Sequence, residues 1–501
     1  MANNIFTKFK GINRLADIAN MPNDYLYDIY NGYLSKENAI KKRFGYEKKY
    51  ATQFDSGASI INFFEALWDD GSKTVYIASG TKVAIYDSGT PEWDTIHTFA
   101  SASTFIDFAQ YGDQVIFCNG VNDPQLHAKG GASSSNLGGT APSKMKLVRI
   151  HENRAWAIDA DDPYAVYYSV LGDIEDWTTS GDDGAGYLNL QAYVSKGDAV
   201  KAIDTFASSY LVFFMKNHTI TYNIGTVASN FAIAQINVNT GVNSPKATLP
   251  FGNDLYYLDE DSPKSFQSSL AAADLDINDF TKGLMGEYYR EMISGQSGAR
   301  VCIEKYLRKS WIVIHIPITA TTGEILIWDY MFNAWVGRWR INDQLNCMFI
   351  NSDDELLFTS SDGYVYKFDE SKRTDDGETI DFTMVTPMYW GTDPASYERY
   401  PFIEFVAETE TNSTNVEVSA YYDFEDEAGS YEEIDLDYSG FFWDEALWDV
   451  SYWSSSGKNV YRSYLTGRGK ATRFSFRNNQ ADKDVEIKMF QLPQSITEGY
   501  E

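Results

Sequence analysis

The sequence predicts an all-β fold: a β-propeller of six to eight blades, with an N-terminal arm before it and a C-terminal β-sandwich-like domain after it. Aromatic residues make up 15% of the 501 residues, and aromatic side chains favour strands. Short apolar segments alternate with Gly-, Asn- and Asp-containing turns, and helical periodicity is rare. In the middle of the chain, several turns recur about every 40 to 45 residues, which is the length of a four-stranded propeller blade.

Residues 1–55 are the predicted N-terminal arm, a docking segment that ends in a basic cluster. The cluster consists of Lys41, Lys42, Arg43, Lys48 and Lys49. Two interpretations stay open: a solvated charged turn, or an interface that binds an acidic ring of neighbouring subunits. The second interpretation predicts that removing residues 1–50 abolishes attachment and leaves the propeller folded.

Residues 56–370 are the predicted propeller. Individual hairpins can be recognised, such as the strand-like residues 75–77 and 83–85 around a Ser-Gly turn. The turn at Asp362-Gly363 is a strong hairpin signal. An isolated hairpin is marginally stable in water, whereas blades stacked around an axis cover one another's faces.

Two segments interrupt the repeat. Residues 127–144 are rich in Gly and Ser, which predicts a polar, mobile loop that does not pack. Residues 269–293 are the one convincing helical candidate of the sequence.

Residues 371–501 are the predicted sandwich-like domain, in which period-two alternation returns. Trp443, Trp448 and Trp453 stand five residues apart, a spacing that fits neither a helical face nor a simple strand. They are predicted to form an irregular aromatic excursion. Either they are a local core, or they are a contact surface, since aromatic residues anchor interfaces.

The formal net charge is −30, although residues 1–50 carry nine Lys or Arg against five Asp or Glu. So acidic a chain is not expected to wrap a nucleic acid, because phosphates would be repelled. It can still stand beside DNA as a wall to which a polyanion does not stick. The start of the chain lacks the apolar core of a signal peptide, and its apolar runs are shorter than a membrane span. Three scattered cysteines predict buried thiols in a reducing cytoplasm.

The sequence contains no P-loop, no HExxH and no GxSxG motif. Its five histidines are scattered, and a lone strand histidine is usually structural. Acidic groups such as Asp159, Asp161 and Asp162 lack the spacing of a calcium loop. The expectation is therefore a protein that is not an enzyme, with no catalytic residues, no cofactor and no metal site.

Several short motifs follow one another in the first half of the chain. Asn31-Gly32 and the run at residues 43–46 (RFGY) come first, and RIHENRAW at 149–156 and YSVLGDIEDW at 168–177 follow. LVFF at 211–214 and GVNSP at 241–245 complete the series. In this order the motifs resemble the β-propeller nozzle (tail hub, packaged DNA stabilisation) proteins of short-tailed bacteriophages. The resemblance covers about residues 10 to 370, and the C-terminal region more loosely.

This resemblance implies a structural virion protein. It implies a homo-oligomer, expected to be a hexamer, that forms a ring below the portal and adaptor and extends the DNA channel. Such a ring retains the packaged genome and lets it pass during ejection without sequence-specific binding. The implied neighbours are the adaptor ring above, tail spikes or fibres at the side, and transiently the host envelope at the tip. The implied location is the virion tail, after synthesis in the bacterial cytoplasm.

Two alternatives stay open. The first is a propeller that binds a host receptor or glycan as a tail component. The second is a glycan-cleaving propeller enzyme, which would need two facing carboxylates at a defined separation. Ser361-Asp362-Gly363 is the nearest approach to the Asp-box turn of such enzymes, and it lacks the Trp.

Overall fold

The structure, a computed structural model, describes residues 4–138, 140–195, 197–207, 209–268, 275–281, 283–296, 300–319, 321–342, 345–390, 396–409, 414–436 and 459–497. Within these ranges strands dominate, and the α-helical part is α1 (Gly286–Ile293). Short 3-10 turns occur at Phe54–Ser56, Gln191–Tyr193, Ala228–Asn230 and Leu307–Lys309. None of the helices in these ranges is long and apolar enough to span a bilayer.

Five short strands precede the propeller in the chain. They are β1 (Asn4–Phe6), β2 (Asp28–Tyr30), β3 (Gly32–Leu34), β4 (Ile40–Lys42) and β5 (Gly45–Lys48).

Blades 1 to 4 are antiparallel four-stranded sheets, each made from one continuous segment of chain. Blade 1 contains β6 (Asn62–Leu67), β7 (Lys73–Ala78), β8 (Lys82–Asp87) and β9 (Glu92–Thr98). Blade 2 contains β10 (Asp107–Tyr111), β11 (Gln114–Cys118), β12 (Gln125–Ala128) and β13 (Ser135–Asn136). Blade 3 contains β14 (Met145–His151), β15 (Arg154–Asp159), β16 (Ala165–Tyr168) and β17 (Gly186–Asn189). Blade 4 contains β18 (Ala202–Phe206), β19 (Tyr210–Phe214), β20 (His218–Asn223) and β21 (Ala232–Val238).

Blades 5 to 7 complete the ring. Blade 5 contains β22 (Thr248–Phe251), β23 (Asp254–Leu258), β24 (Pro263–Ser268) and β25 (Leu275–Asp279). Blade 6 contains β26 (Cys302–Tyr306), β27 (Trp311–Pro317), β28 (Gly323–Asp329) and β29 (Ala334–Ile341). Blade 7 contains β30 (Leu345–Ile350), β31 (Leu356–Ser360) and β32 (Val365–Asp369), with β5 as its fourth strand.

The first strands of the blades surround a common axis. Each contacts the first strand of the next blade, and β30 contacts β6, which closes the ring. Aromatic side chains fill the spaces between neighbouring blades: Phe63 stacks on Phe349 between blades 1 and 7, and Phe206 lies 5.8 Å from Phe266 between blades 4 and 5. The prediction of an all-β propeller is therefore confirmed, and the described residues form seven blades, within the predicted range.

The predicted hairpin at Asp362-Gly363 joins β31 to β32. Gly363 has a φ of +83° there, a backbone conformation that glycine adopts without a Cβ clash. At the other side of the same blade, a Cβ on Gly45 would lie 1.8 Å from the Thr374 carbonyl oxygen. The absence of a side chain at residue 45 allows β5 to lie this close to the chain that follows the propeller.

Twelve strands follow the propeller in the described residues. They are β33 (Thr374–Asp375), β34 (Glu378–Thr379), β35 (Phe382–Val385), β36 (Tyr389–Trp390), β37 (Glu398–Arg399), β38 (Phe402–Glu408), β39 (Thr414–Tyr422), β40 (Ser430–Leu436), β41 (Asn459–Tyr464), β42 (Ala471–Asn478), β43 (Glu486–Leu492) and β44 (Ile496–Thr497).

Eight of these strands, including β36 on β42, build a two-sheet sandwich with β1 to β4 of the arm, whereas β33 and β34 extend the sheet of blade 7 and β37 pairs with β44. One sheet has the order β3-β4-β43-β38-β41, with β1 on β43, and the other has the order β2-β35-β42-β39-β40. Phe476 of the second sheet packs against Phe405 and Phe490 of the first, with ring centroids 5.4 Å and 5.9 Å apart. Because β2 also pairs with β29, the second sheet is continuous with blade 6.

Three segments differ from their simple sequence interpretation. Within residues 127–144, β13 pairs with β12 as the fourth strand of blade 2, and His127 is buried against the Tyr76 hydroxyl at 2.8 Å. In the described part of residues 269–293, the helix is Gly286–Ile293, and Leu275–Asp279 is a strand. The strands of residues 1–55 enter three different sheets. Strands β1, β3 and β4 join one sandwich sheet, β2 connects the other sandwich sheet to blade 6, and β5 joins blade 7.

Candidate functional site at the arm and the propeller axis

Arg43 lies between β4 and β5, where the arm meets blade 7. Its side chain is 1% exposed, and its guanidinium donates to both carboxylate oxygens of Asp375, with Nη1 2.7 Å from Oδ1. Its Nε donates to Asn31 Oδ1 at 3.1 Å, and the Trp339 ring lies 5.9 Å from the guanidinium carbon. A buried bidentate pair fixes geometry and is costly to break. Arg43 therefore holds the arm to the propeller and to the chain after it.

Lys42 and Lys41 lie on β4 and point to opposite sides of it. Lys42 is buried, and its Nζ donates to Asn478 Oδ1 at 2.8 Å and to the Gln480 carbonyl at 2.9 Å. Burial, with the nearby Arg43 charge, lowers the pKa of Lys42 to about 8. Lys41 pairs with Glu486 of β43 at 3.0 Å. Both lysines thus tie the arm to the sandwich.

Lys48 and Lys49 end the basic cluster beside blade 7. Lys48 pairs with Asp376 at 3.1 Å, and Lys49 pairs with Glu355 at 2.6 Å. Every cationic group of the cluster thus has a partner within the same chain. The interface role predicted for the cluster stays a prediction, and these contacts show that the cluster also holds the chain together.

The three tryptophans predicted as a local core or a contact surface, Trp443, Trp448 and Trp453, lie outside the described residues. The strands on either side, β40 and β41, are the last strands of the two sandwich sheets.

A second charged network joins the arm to blade 6. Arg338 of β29 donates to both carboxylate oxygens of Asp28 on β2 and, at 2.7 Å, to Glu324 Oε1 on β28. Arg14 pairs with the same Asp28 at 2.9 Å, and the Tyr288 hydroxyl donates to Glu324. Burial opposes the charge of Arg338, but the two carboxylates outweigh it and raise the pKa of the guanidinium. The network therefore stabilises the contact between β2 and the outer strand of blade 6.

The propeller axis carries a belt of polar residues on the first strands of the blades. Asp107 of blade 2 accepts from Arg149 of blade 3 at 2.8 Å and from the Val148 backbone at 3.0 Å. Asp204 of blade 4 accepts from Thr248 of blade 5 at 2.7 Å. These side chains connect neighbouring blades where the strands are closest.

Blade 6 adds an acidic group to the belt, and blades 6 and 7 add two thiols. Burial raises the pKa of Glu304 on β26 to about 7, against the opposing charge of Lys246. Burial also raises the pKa values of Cys302 and Cys347, so both thiols stay protonated and are poor nucleophiles. The buried cysteines expected from the sequence are therefore found, and these two lie on neighbouring inner strands.

Two cavities open near the axis. One, of about 720 Å³, is lined by polar residues of blades 1, 6 and 7, including Ser59, Ser79, Ser103, Arg300 and Asn346. The other, of about 450 Å³, is lined by residues of the polar belt and their neighbours, among them Asp107, Arg149 and Lys246. Among the described residues, no group of three or more His, Cys, Asp or Glu side chains is placed to hold a metal ion.

Sequence reasoning missed the Arg338 network and the polar belt. A signal for the first was present: β29 reads AWVGRWRI, in which two arginines interrupt an otherwise buried strand. Arginines that are largely removed from water need partners, so this pattern indicates acidic residues nearby. It does not say that one of them, Asp28, comes from a strand about 300 residues earlier in the sequence.

In the comparisons with known proteins, similarity is found among solved structures. No family model matches the sequence, and no curated protein matches it. Among solved structures, the β-propeller domain of Cps50 (Swd1) from Myceliophteria thermophila is similar, with 11% identity and a TM-score of 0.43. The match covers 64% of this chain and 99% of that one. The strand order described above establishes the propeller without it.

Proposed function

We propose that this chain is a structural protein of a bacteriophage tail, a subunit of a ring-shaped nozzle below the portal and adaptor. The ring extends the DNA channel, retains the packaged genome and lets it pass during ejection. The resemblance of the ordered sequence motifs to tail nozzle proteins supports this proposal. The expected assembly is a hexamer in the virion tail.

The observation that carries the proposal is the way in which the arm joins the propeller to the sandwich. Strands β1, β3 and β4 belong to the sandwich, β5 belongs to blade 7, and β2 pairs with both β29 and β35. The buried pair of Arg43 and Asp375 and the network around Arg338 lie at these joints. A wall that holds back a packaged genome needs rigid subunits. The shared strands and the buried charge pairs make this subunit rigid.

The passage for DNA in such a ring lies between copies of the chain and not along the axis of one propeller. The inner strands of each propeller pack closely together, since Asn62, Asp107, Cys302 and Cys347 on these strands are all about 1% exposed. The net charge of −30 suits a wall of this kind, because each Lys or Arg contact with phosphate adds affinity and slows sliding. An assembled ring with a lumen lined by Lys and Arg would contradict this part of the proposal.

A binding experiment tests the proposal. The purified full chain is expected to bind isolated portal–adaptor rings and to co-sediment with them, and to leave host polysaccharide unbound. A double variant, Lys48→Gln with Lys49→Gln, tests the predicted interface role of the basic cluster, with Lys470→Gln as the control. Binding to polysaccharide without binding to the rings would overturn the nozzle proposal.

One observation favours a second candidate, a propeller module that binds a host glycan. The cavity of about 720 Å³ is lined by Ser59, Ser79, Thr81, Ser103 and Arg300. Hydroxyl groups and a guanidinium are suited to an acidic saccharide. Weaker retention of the Arg300→Gln variant on an acidic polysaccharide column would support this candidate, and equal retention of both proteins would dismiss it.

A further inference from the structure

A long segment of this highly charged chain carries no charged residue. Charged residues make up 22% of the sequence, yet residues 217–245 contain no Asp, Glu, Lys or Arg. The segment forms β20 and β21, the two outermost strands of blade 4. Its titratable side chains are His218, which is buried against Asp198 at 2.6 Å, and Tyr222, whose pKa is raised by burial to about 12. Blade 4 therefore presents a neutral outer edge on an acidic protein.

Strand β21 has one half-buried and one exposed side. Ile233 packs against the core shared by blades 3 and 4, whereas the alternate residues Ala232, Ala234, Ile236 and Val238 are exposed. The exposed fraction is 38% for Ile236 and 60% for Val238. In the described part of the chain β21 is the last strand of its sheet and pairs with β20, so its other edge lies next to an apolar surface.

The outer strands of the other blades are protected against such pairing in recognisable ways. Charged residues occur on two of them, with Glu92 and Asp94 on β9 and two aspartates on β25. Two others are short, since β13 has two residues and β17 has four. The outer strands of blades 6 and 7 are covered by β2 and β33. The seven-residue, uncharged β21 is the exception among the described blades.

We propose that β21 is the strand through which one copy of this chain binds a second copy, by backbone pairing that buries Ile236 and Val238. The charge favours a second copy as the occupant. Two chains of net charge −30 repel each other, and a neutral edge is where they approach at the lowest electrostatic cost. Strand addition at an exposed edge gives affinity through main-chain hydrogen bonds. The inference rests on the homo-oligomer of the proposed function and names its contact.

The test uses the full chain and the double variant Ile236→Glu/Val238→Glu. The matched control is Leu307→Glu/Met331→Glu, which changes two residues on blade 6 that are 53% and 72% exposed. Sedimentation velocity over a concentration series is expected to show oligomers for the wild type and the control. The edge variant is expected to dissociate at least tenfold more readily, because two carboxylates then face an acidic neighbour. The thermal midpoint is expected to be the same in all three.

Hydrogen exchange on the wild-type chain gives a readout that does not depend on a variant. The amides of residues 232–238 are expected to exchange more slowly at concentrations where the oligomer forms. Unchanged exchange there, an edge variant that assembles like the wild type, or a wild type that stays monomeric would overturn the inference. A six-fold ring that persists in the edge variant would leave the proposed function standing. Dimers paired through β21 without any ring would leave only the inference standing.

Discussion

Blades 4 and 7 have the same four-stranded form and are completed in opposite ways. Blade 4 is made from one continuous segment, Ala202 to Val238, and leaves its outer edge open. Blade 7 takes its outer strand from β5, more than 300 residues earlier in the chain, and β33 covers it. Local pairing thus builds blade 4, whereas pairing between distant parts of the chain closes the ring at blade 7. We therefore expect the stability of the whole chain to depend on blade 7, and we propose that its assembly depends on blade 4.

The largest effect is expected when blade 7 loses its outer strand. A chain lacking residues 1–50 loses β5 and Arg43, and with them the strands that the arm gives to the sandwich. We expect loss of cooperative folding, which is a free energy on the order of 5–15 kcal/mol, seen as the absence of a thermal transition in circular dichroism. The sequence alone predicted that the truncated propeller stays folded, and we expect the opposite because β5 is the outer strand of blade 7. A soluble truncated protein that melts cooperatively would show that the ring closes without β5.

The next effect concerns the buried pair at the same joint. Arg43→Met leaves the Asp375 carboxylate buried without its partner, and we expect a loss of about 3–5 kcal/mol of unfolding free energy. Arg308→Met is the control, because this exposed arginine lies 3.9 Å from Asp354, and its loss is expected to cost less than about 1 kcal/mol. Urea denaturation measures both. Equal losses in the two variants would mean that the Arg43 pair does not stabilise the joint.

An intermediate effect concerns Glu304 at the propeller axis, whose contribution to stability depends on pH. Glu304 has a folded-state pKa of about 7, raised by burial from 4.5. Its contribution to stability is complete below pH 4.5 and falls as the pH rises to about 7. Glu304→Gln is therefore expected to gain stability over the wild type at pH 8 relative to pH 5, on the order of 1 kcal/mol. Urea denaturation at both pH values measures it, with the exposed Glu433→Gln as control. A difference that does not change with pH would contradict the raised pKa of Glu304.

The smallest effect compares two threonines of blade 4 that lie on the same strand. The Thr221 hydroxyl is buried without a hydrogen-bond partner, whereas the Thr219 hydroxyl donates to the Thr240 carbonyl at 3.0 Å. Thr221→Val is expected to stabilise the chain by up to about 1 kcal/mol, and Thr219→Val to destabilise it by about 1 kcal/mol. Thermal melts distinguish the two directions. The same sign for both changes would show that the hydroxyl contacts of β20 do not decide its stability.

The parts of the fold that depend on local pairing could be predicted from the sequence. The Asp362-Gly363 hairpin and the alternation of β42 are examples, because a turn residue and a period of two decide both. The role of the basic segment could not be predicted in this way. Nothing near Arg43 indicates that Asp375 is its partner, since pairing over such a distance depends on the closed ring. The strand at Leu275–Asp279 was missed for the same reason, because its partner β24 and the blade around it override a helical pattern.

Electron microscopy of the purified full-length protein, and of the virion tail, tests the central claim most directly. The account predicts six copies of a seven-bladed propeller around an open passage, at the distal end of the tail and with an acidic lumen. Isolated monomers in every preparation, or a tail whose nozzle contains no propeller of this form, would contradict it.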